Sequence, residues 1–122
     1  MSVAVRRIYE PPSDSDEVRL LIDRLWPRGV SRQAARLDAW CQALAPSPEA
    51  RRWYGRRPER WSEFVVRYRR ELAHPDKADT LADLRSLVAT RAVTLLTAVE
   101  DVDHSAAAVL AQVLVEEGSP NC

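Results

Sequence analysis

The sequence is poor in the residues that build several common functional sites. It has three glycines and two cysteines among 122 residues. With so few glycines it contains neither a glycine-rich phosphate loop nor a dinucleotide-binding fingerprint. Cys41 and Cys122 form no CxxC pair and no Cys/His spacing typical of a metal site, and they give no disulfide framework. We therefore expect no cofactor, no bound metal and, from the low cysteine usage, a cytoplasmic protein.

Long hydrophobic runs are also missing. The longest apolar stretch, residues 106–115, is interrupted by Gln112 and is too short to cross a bilayer. We expect no membrane span and no signal peptide. Hydrophobic residues at 46% and charged residues at 30% exclude a disordered chain, and the length suits one domain over residues 1–122.

Net charge is zero, but it is distributed unevenly along the chain. Residues 51–70 carry eight arginines against two glutamates, and residues 71–122 carry three bases against nine acids. This asymmetry predicts a basic face that could bind a nucleic acid or an acidic protein.

Three apolar segments predict strands. Residues 3–9 and 18–26 are short runs with β-branched residues, and turn-forming residues separate them. The connection is too short for a crossover helix, so we expect these two strands to be antiparallel or splayed rather than parallel neighbours. Residues 92–99 are apolar without alternation, which indicates a strand buried on both faces. Residues 37–44 fit a helix slightly better than a strand.

Helix signals fill most of the remaining chain. Ser31 can cap a brief helical turn through Arg36, and Ser47 followed by Pro48 is a strong helix start that Gly55 would end. Further helices are predicted from Pro58, over about residues 79–89 and from about residue 103 to Gly118. Helices before and after an apolar strand predict an α/β fold. We expect a small three-layer sandwich with a mostly parallel sheet of about four strands flanked by helices.

Several motifs together resemble one known family. The segment DRLWPRG at residues 23–29 is followed by LDAW at 37–40, APS at 45–47, an aromatic helix ending in Glu71-Leu72, and TLL at 94–96. In this order they resemble the YeaO-like branch of domain-of-unknown-function family 488, or DUF488. The resemblance implies a small α/β protein in which the Trp40 segment is a strand, and we adopt that reading. The family brings no established activity.

The chain departs from this resemblance near its last helix. Where relatives typically have a tyrosine, a base, an asparagine and a second histidine, this sequence has Thr97, Glu100, Ser105 and Ala106. If that histidine is catalytic in relatives, this chain cannot use the same chemistry. It could then be a non-catalytic relative of an enzyme family.

The candidate site follows from the rule that ligands of open α/β sheets bind beyond the carboxyl ends of the strands. We expect Arg24 and Arg28 to hold a small anionic ligand, carrying phosphate or carboxylate, beside Asp23. Trp26 would form a wall, and Ser47 with its helix amides would add donors. The alternative is that Asp23 and an arginine form an ion pair that locks the turn.

A second pair of residues is expected at the same edge. Asp101 and His104 could transfer protons if the ligand reacts. The alternative is that Asp101 or Asp103 caps the last helix while His104 is solvated. Whether the protein is an enzyme is left open, and the residues predict no oligomeric state.

Two other features have simpler interpretations. Cys41 has no local base and fits a small core residue better than a nucleophile. On the basic face, Trp61, Phe64 and Tyr68 share the side of the helix that must face the core. Nucleic-acid binding through arginines interleaved with stacking aromatics is therefore the less favoured function.

Overall fold

A computed structural model describes residues 2–13 and 16–116. The elements, in chain order, are β1 (Ser2–Arg7), β2 (Val18–Leu21), α1 (Arg32–Ala35), β3 (Ala39–Trp40), α2 (Pro48–Tyr54), α3 (Trp61–Leu72), α4 (Ala78–Thr90), β4 (Ala92–Thr97) and α5 (Ala106–Glu116). Short 3-10 turns precede α3, α4 and α5 and follow β3. The predicted helix end at Gly118 lies outside the described residues, as does Cys122.

The four strands form one parallel sheet in the order β1-β4-β2-β3. The predicted α/β class is confirmed. The antiparallel arrangement expected for β1 and β2 is wrong, because both strands run parallel to β4. They are not neighbours, as expected, since β4 lies between them. Residues 8–17 can span about 33 Å when extended. That length carries the chain back along a six-residue strand, about 20 Å long, without a helix.

The two faces of the sheet pack against different parts of the chain. Alternation along β4 directs Val93 and Leu95 to a large cluster formed with α2, α3, α4 and α5. Leu96 belongs to a smaller cluster on the other face, with Leu21 of β2 and Ala35 of α1. The loop around Trp26 and Val30 completes that second layer. Burial of β4 on both faces explains its continuous apolar sequence, as predicted.

Most helical predictions are confirmed, with shifts at the ends. Ser31 and Ser47 cap α1 and α2, and Gly55 ends α2 in the left-handed region at φ 52°. Helix α3 begins at Trp61, because Pro58 starts a 3-10 turn. On its exposed face Glu63 pairs with Arg67 at 3.0 Å.

The segment around Trp40 is a strand, as the family resemblance implied. It pairs Ala39 and Trp40 with β2 and then enters a 3-10 turn, so the helical reading of residues 37–44 is wrong. Trp40 also donates a 2.6 Å hydrogen bond from its indole nitrogen to the backbone oxygen of Asp23. This bond ties the short edge strand to the start of the DRLWPRG segment.

Candidate functional site

The candidate site lies where the four parallel strands end. Asp23 follows β2, and its carboxylate accepts hydrogen bonds from Thr97 Oγ1 at 2.9 Å and from the Ala98 amide at 2.7 Å. These bonds join the carboxyl ends of β2 and β4. Among the described residues no arginine forms a salt bridge with Asp23, although Arg51 lies near enough to interact electrostatically. Asp23 is therefore held by the sheet rather than by an ion pair.

The environment of Asp23 favours its neutral form. Burial raises the pKa of this carboxyl, and the bonds from Ala98 and Thr97 and the charge of Arg51 oppose that rise only in part. The edge therefore has a carboxylate that is costly to ionise.

Replacing Asp23 with asparagine should change how stability depends on pH. Native Asp23 binds its proton more tightly than the unfolded chain does, so its contribution falls as pH rises above the ordinary pKa of 3.8. The difference in free energy of unfolding between wild type and Asp23→Asn should therefore decrease as pH rises from 3.8 to the raised native pKa of Asp23, and it should stay constant above that pH. Urea unfolding of both proteins at several pH values measures this difference in free energy. An advantage that grows with pH would contradict this reading.

Arg24 extends from the same turn towards the segment after β3. Its Nε and Nη2 atoms donate to the carbonyl oxygen of Pro46 at 3.3 and 3.2 Å. The Arg24 carbonyl accepts from Gln42 Nε2 at 3.0 Å. Arg24 is only partly buried, and its bonded partner is a neutral carbonyl. Its charge is not neutralised by any carboxylate of the described residues.

Ser47 is already engaged by an internal anion. The carboxylate of Glu71, near the end of α3, accepts from the Ser47 amide at 2.8 Å and from its hydroxyl at 2.6 Å. The same hydroxyl accepts from the Ala50 amide at 3.1 Å. Glu71 therefore occupies the position at the start of α2 that a ligand oxygen could otherwise take.

Trp26 and Arg28 lie in the loop over the second face of the sheet. The indole nitrogen of Trp26 donates to the Val30 carbonyl at 2.7 Å, and its ring meets that of Trp40 edge-on at 5.3 Å. Tyr9 donates from its hydroxyl to the Arg28 carbonyl at 3.0 Å. The exposed Arg28 guanidinium has no carboxylate partner among the described residues.

Asp101 and His104 form the pair that their spacing predicted. His104 Nδ1 lies 2.8 Å from Asp101 Oδ2, because a 3-10 turn brings residues three apart together. Both side chains are about half exposed, at 65% for Asp101 and 49% for His104. The His104 ring also meets Trp61 edge-on at 5.1 Å. Ser105 caps the last helix by accepting from the Ala108 amide, and this leaves Asp101 free to hold the imidazole.

The predicted residues share one edge but divide between the two faces of the sheet. Trp26 packs with the second-face cluster, whereas Trp61, the ring neighbour of His104, packs with the first-face core. Tyr54 at the far end of α2 lies close to Asp101: burial raises its phenol pKa and the Asp101 charge adds to the rise. Helix α2, about 10 Å long, therefore lies between Ser47 and the region of Asp101.

The structure also adds residues that the sequence analysis did not select. Arg7 is the last residue of β1, and its Nη2 donates to the Ala98 carbonyl at 3.3 Å. The strand-end rule would have found it, had the end of the first strand been included. Tyr9 had no comparable signal, and Glu71 was noted only as part of a family motif, because the roles of both depend on contacts with residues distant in sequence.

Other features of the described residues lie apart from this edge. Two shallow depressions of about 580 and 420 Å³ lie on the solvent side of α3 and beside the last turns of α5. Burial raises the pKa of the Cys41 thiol, which disfavours the thiolate that a nucleophile needs. The described segments contain no group of three or more potential metal ligands, and none of their helices has the length and apolarity of a membrane span.

Comparison with known proteins gives a consistent set of relatives. Residues 2–121 match a family described as the inactive DUF488-N3 subclade. The chain is 46% identical over 112 residues to the uncharacterized protein Rv3073c of Mycobacterium tuberculosis strain H37Rv, which covers 92% of both chains. It is 34% identical over 112 residues to the uncharacterized protein YeaO of Escherichia coli K12, covering 91% of this chain and 95% of YeaO. No solved structure matches.

Proposed function

Because the chain belongs to the inactive DUF488-N3 subclade, we propose that it binds a small anionic ligand at the carboxyl edge of its sheet without catalysing a reaction. The ligand would carry a phosphate or a carboxylate. The description of the subclade as inactive agrees with Ala106, an apolar residue at the position where the family resemblance implies a histidine.

The observation that carries this proposal is the uncompensated positive charge of Arg24 and Arg28. Two carboxylates of this edge, Asp23 and Glu71, accept hydrogen bonds from Thr97, Ala98 and Ser47. Arg24 donates from Nε and Nη2 to the neutral Pro46 carbonyl, and its remaining donors and those of Arg28 have no carboxylate partner among the described residues. Guanidinium groups bind carboxylates and phosphates through paired hydrogen bonds that are stronger than neutral ones.

The other predicted residues take supporting roles in this proposal. Ser47, bound by Glu71, fixes the loop whose Pro46 carbonyl orients Arg24. Trp26 closes the loop that carries Arg28 by binding the Val30 carbonyl. Rigid side chains around the guanidinium groups reduce the entropy lost when a ligand binds.

Calorimetric titration with inorganic phosphate and with succinate tests the proposal. Arg24→Gln and Arg28→Gln should each weaken binding of the preferred anion at least about tenfold, because each removes charge-assisted hydrogen bonds. Arg70→Gln is a matched control, since this exposed arginine lies on the solvent side of α3. Absence of binding by the wild type in the millimolar range would overturn the proposal.

If the bound ligand does react, Asp101 and His104 are the pair that we expect to move a proton, from the first-face side of the edge. The carboxylate orients the imidazole at 2.8 Å. Incubation with a phosphomonoester, followed by phosphorus NMR, distinguishes this case. Phosphate release that His104→Gln abolishes would show catalysis and contradict the non-catalytic part of the proposal.

A second candidate function is binding of a nucleic acid or an acidic protein to the basic face formed by residues 51–70. The specific observation is Trp53, a partly exposed residue of α2 whose ring centroid lies near two guanidinium groups, Arg60 at 5.0 Å and Arg67 at 4.3 Å. Trp61, Phe64 and Tyr68 pack towards the core, as the helical phase predicted. Trp53 also packs against the core, but it is in contact with arginines of the basic face as well.

Salt dependence tests this second function. Fluorescence anisotropy with short labelled DNA and RNA should show affinity that falls steeply with added salt, because bound counterions are released. Changing Arg56 and Arg57 to glutamate should abolish that binding. The nucleic-acid function is excluded if neither DNA nor RNA binds even at low ionic strength. A labelled poly-glutamate peptide measured in the same way tests the acidic-protein version.

A further inference from the structure

We propose that Arg7, Tyr9 and Arg28 form the anion subsite of this edge and that its ligand is a phosphomonoester. The inference rests on the proposed function and deepens it, because it adds two residues and chooses between phosphate and carboxylate. It follows from how the end of β1 meets the loop that carries Arg28.

The Arg7 guanidinium is fixed in place but largely unused. Its Nη2 donates to the Ala98 carbonyl, and its carbon lies 4.8 Å from the centroid of the Tyr9 ring. Its Nε is buried and finds no acceptor among the described residues. A guanidinium carries several N–H donors, and only one of these is satisfied by the described part of the protein. Burying an unsatisfied donor costs stability, and an acceptor oxygen supplied by a ligand would relieve that cost.

Tyr9 connects Arg7 to Arg28. One part of its ring lies against the Arg7 guanidinium, while its hydroxyl donates to the Arg28 carbonyl at 3.0 Å. The ring remains 46% exposed. Arg28 is itself exposed, and its turn continues into Gly29, which has φ 75° and open space where a side chain would be. Tyr9 therefore links the Arg7 side chain to the backbone of Arg28, and the exposed Tyr9 and Arg28 lie on the surface beside the partly buried Arg7.

The charge of this surface favours a dianion. Neither Arg7 nor Arg28 forms a salt bridge with an acidic residue in the part of the chain that the structure describes. A phosphomonoester carries about two negative charges near neutral pH and three acceptor oxygens. In this inference one phosphate is held by both guanidinium groups and matches their two charges, whereas one carboxylate supplies a single charge. Glycerol 3-phosphate and lactate are therefore suitable probes, since they differ mainly in the anionic group.

Calorimetry with these two probes tests the inference. Wild type should bind glycerol 3-phosphate at least tenfold more tightly than lactate. Arg7→Gln and Arg28→Gln should each weaken that binding tenfold or more. Arg7→Lys should retain part of it, because the charge remains without the planar fork. Tyr9→Phe should weaken it less than Arg7→Gln does, because the ring is kept and only the bond to the Arg28 carbonyl is lost.

The outcomes separate this inference from the proposed function. If Arg7→Gln leaves the affinity unchanged while Arg24→Gln or Arg28→Gln lowers it, the subsite is wrong and anion binding at the edge stands. Equal binding of lactate and glycerol 3-phosphate overturns the choice of a phosphomonoester. If wild type binds neither probe, nor phosphate or succinate, the proposed function fails as well. Urea unfolding of Arg7→Gln should match wild type, and a large loss of stability would assign Arg7 to the fold.

Discussion

Replacing Arg19 with methionine should lower the free energy of unfolding by about 3–5 kcal/mol, because it leaves a buried carboxylate without its charged partner. Arg19 is only 5% exposed. Its Nη1 lies 2.7 Å from Asp16 Oδ2, and its Nε and Nη2 donate to the Ala35 carbonyl at 3.1 and 2.9 Å. Asp16 also accepts from Thr94 Oγ1 at 2.7 Å. The group thus connects β2, β4 and the end of α1.

The charge state of Asp16 supports this large effect. Burial alone would raise the pKa of its carboxyl, but hydrogen bonds from Thr94, the Ser13 backbone and Arg19 outweigh burial and hold the pKa below 3.8. The stability that the lowered pKa contributes is present above 3.8 and is lost as pH falls through the native value. Methionine removes one of these bonds together with the balancing charge.

Urea unfolding followed by tryptophan fluorescence measures the change for Arg19→Met. The matched control is Arg69→Met, which breaks an ion pair with Glu116 whose acidic side chain is 56% exposed. Such surface pairs contribute about 0–1 kcal/mol, so the control should stay close to wild type. Equal losses in the two variants would show that the buried group does not stabilise the fold as described.

Replacing Glu71 with alanine should lower the free energy of unfolding by about 2–3 kcal/mol, because hydrogen bonds to a charged acceptor are stronger than neutral ones. The substitution removes both acceptors of Ser47 and separates the end of α3 from the start of α2. It also frees the loop at Pro46 to which Arg24 binds.

Glu71→Gln provides the matched comparison. The amide keeps an acceptor for the Ser47 amide and loses the charge, so it should cost about 1 kcal/mol. Urea unfolding measures the stability of both variants. Calorimetric titration of each folded variant with phosphate shows whether anion binding at Arg24 has changed. If alanine and glutamine are equally mild, Glu71 is not the anchor of α2.

Local patterns predicted the helices and the central strand of this fold well. The buried residues Phe64, Tyr68 and Leu72 of α3 follow the helical spacing, and β4 is apolar because helices and loops cover both its faces. The order of the strands was not predictable in the same way. It depends on the direction taken by the short connection between β1 and β2, and the length of a loop limits its reach without fixing its direction.

The sequence predicted at which edge of the sheet the candidate site lies, but it did not predict the contacts between the side chains there. The carboxyl ends of parallel strands must meet, so the sequence placed Asp23 and His104 at one end of the sheet. Which face each residue occupies depends on side-chain packing, such as that of Trp26 against Trp40 and of His104 against Trp61. The bond between Glu71 and Ser47 joins residues far apart in sequence, and no periodicity indicates it.

The position of β4 between β1 and β2 has a consequence for how the protein is made. Both early strands pair with β4, late in the sequence, with Ser2 opposite Ala92 and Val18 opposite Val93, and β2 pairs with β3 on its other side. A ribosome-bound fragment that ends before residue 92 has no central strand to align the others. We expect nascent chains to remain sensitive to protease until β4 has left the exit tunnel, and refolding to be slow for a protein of this size.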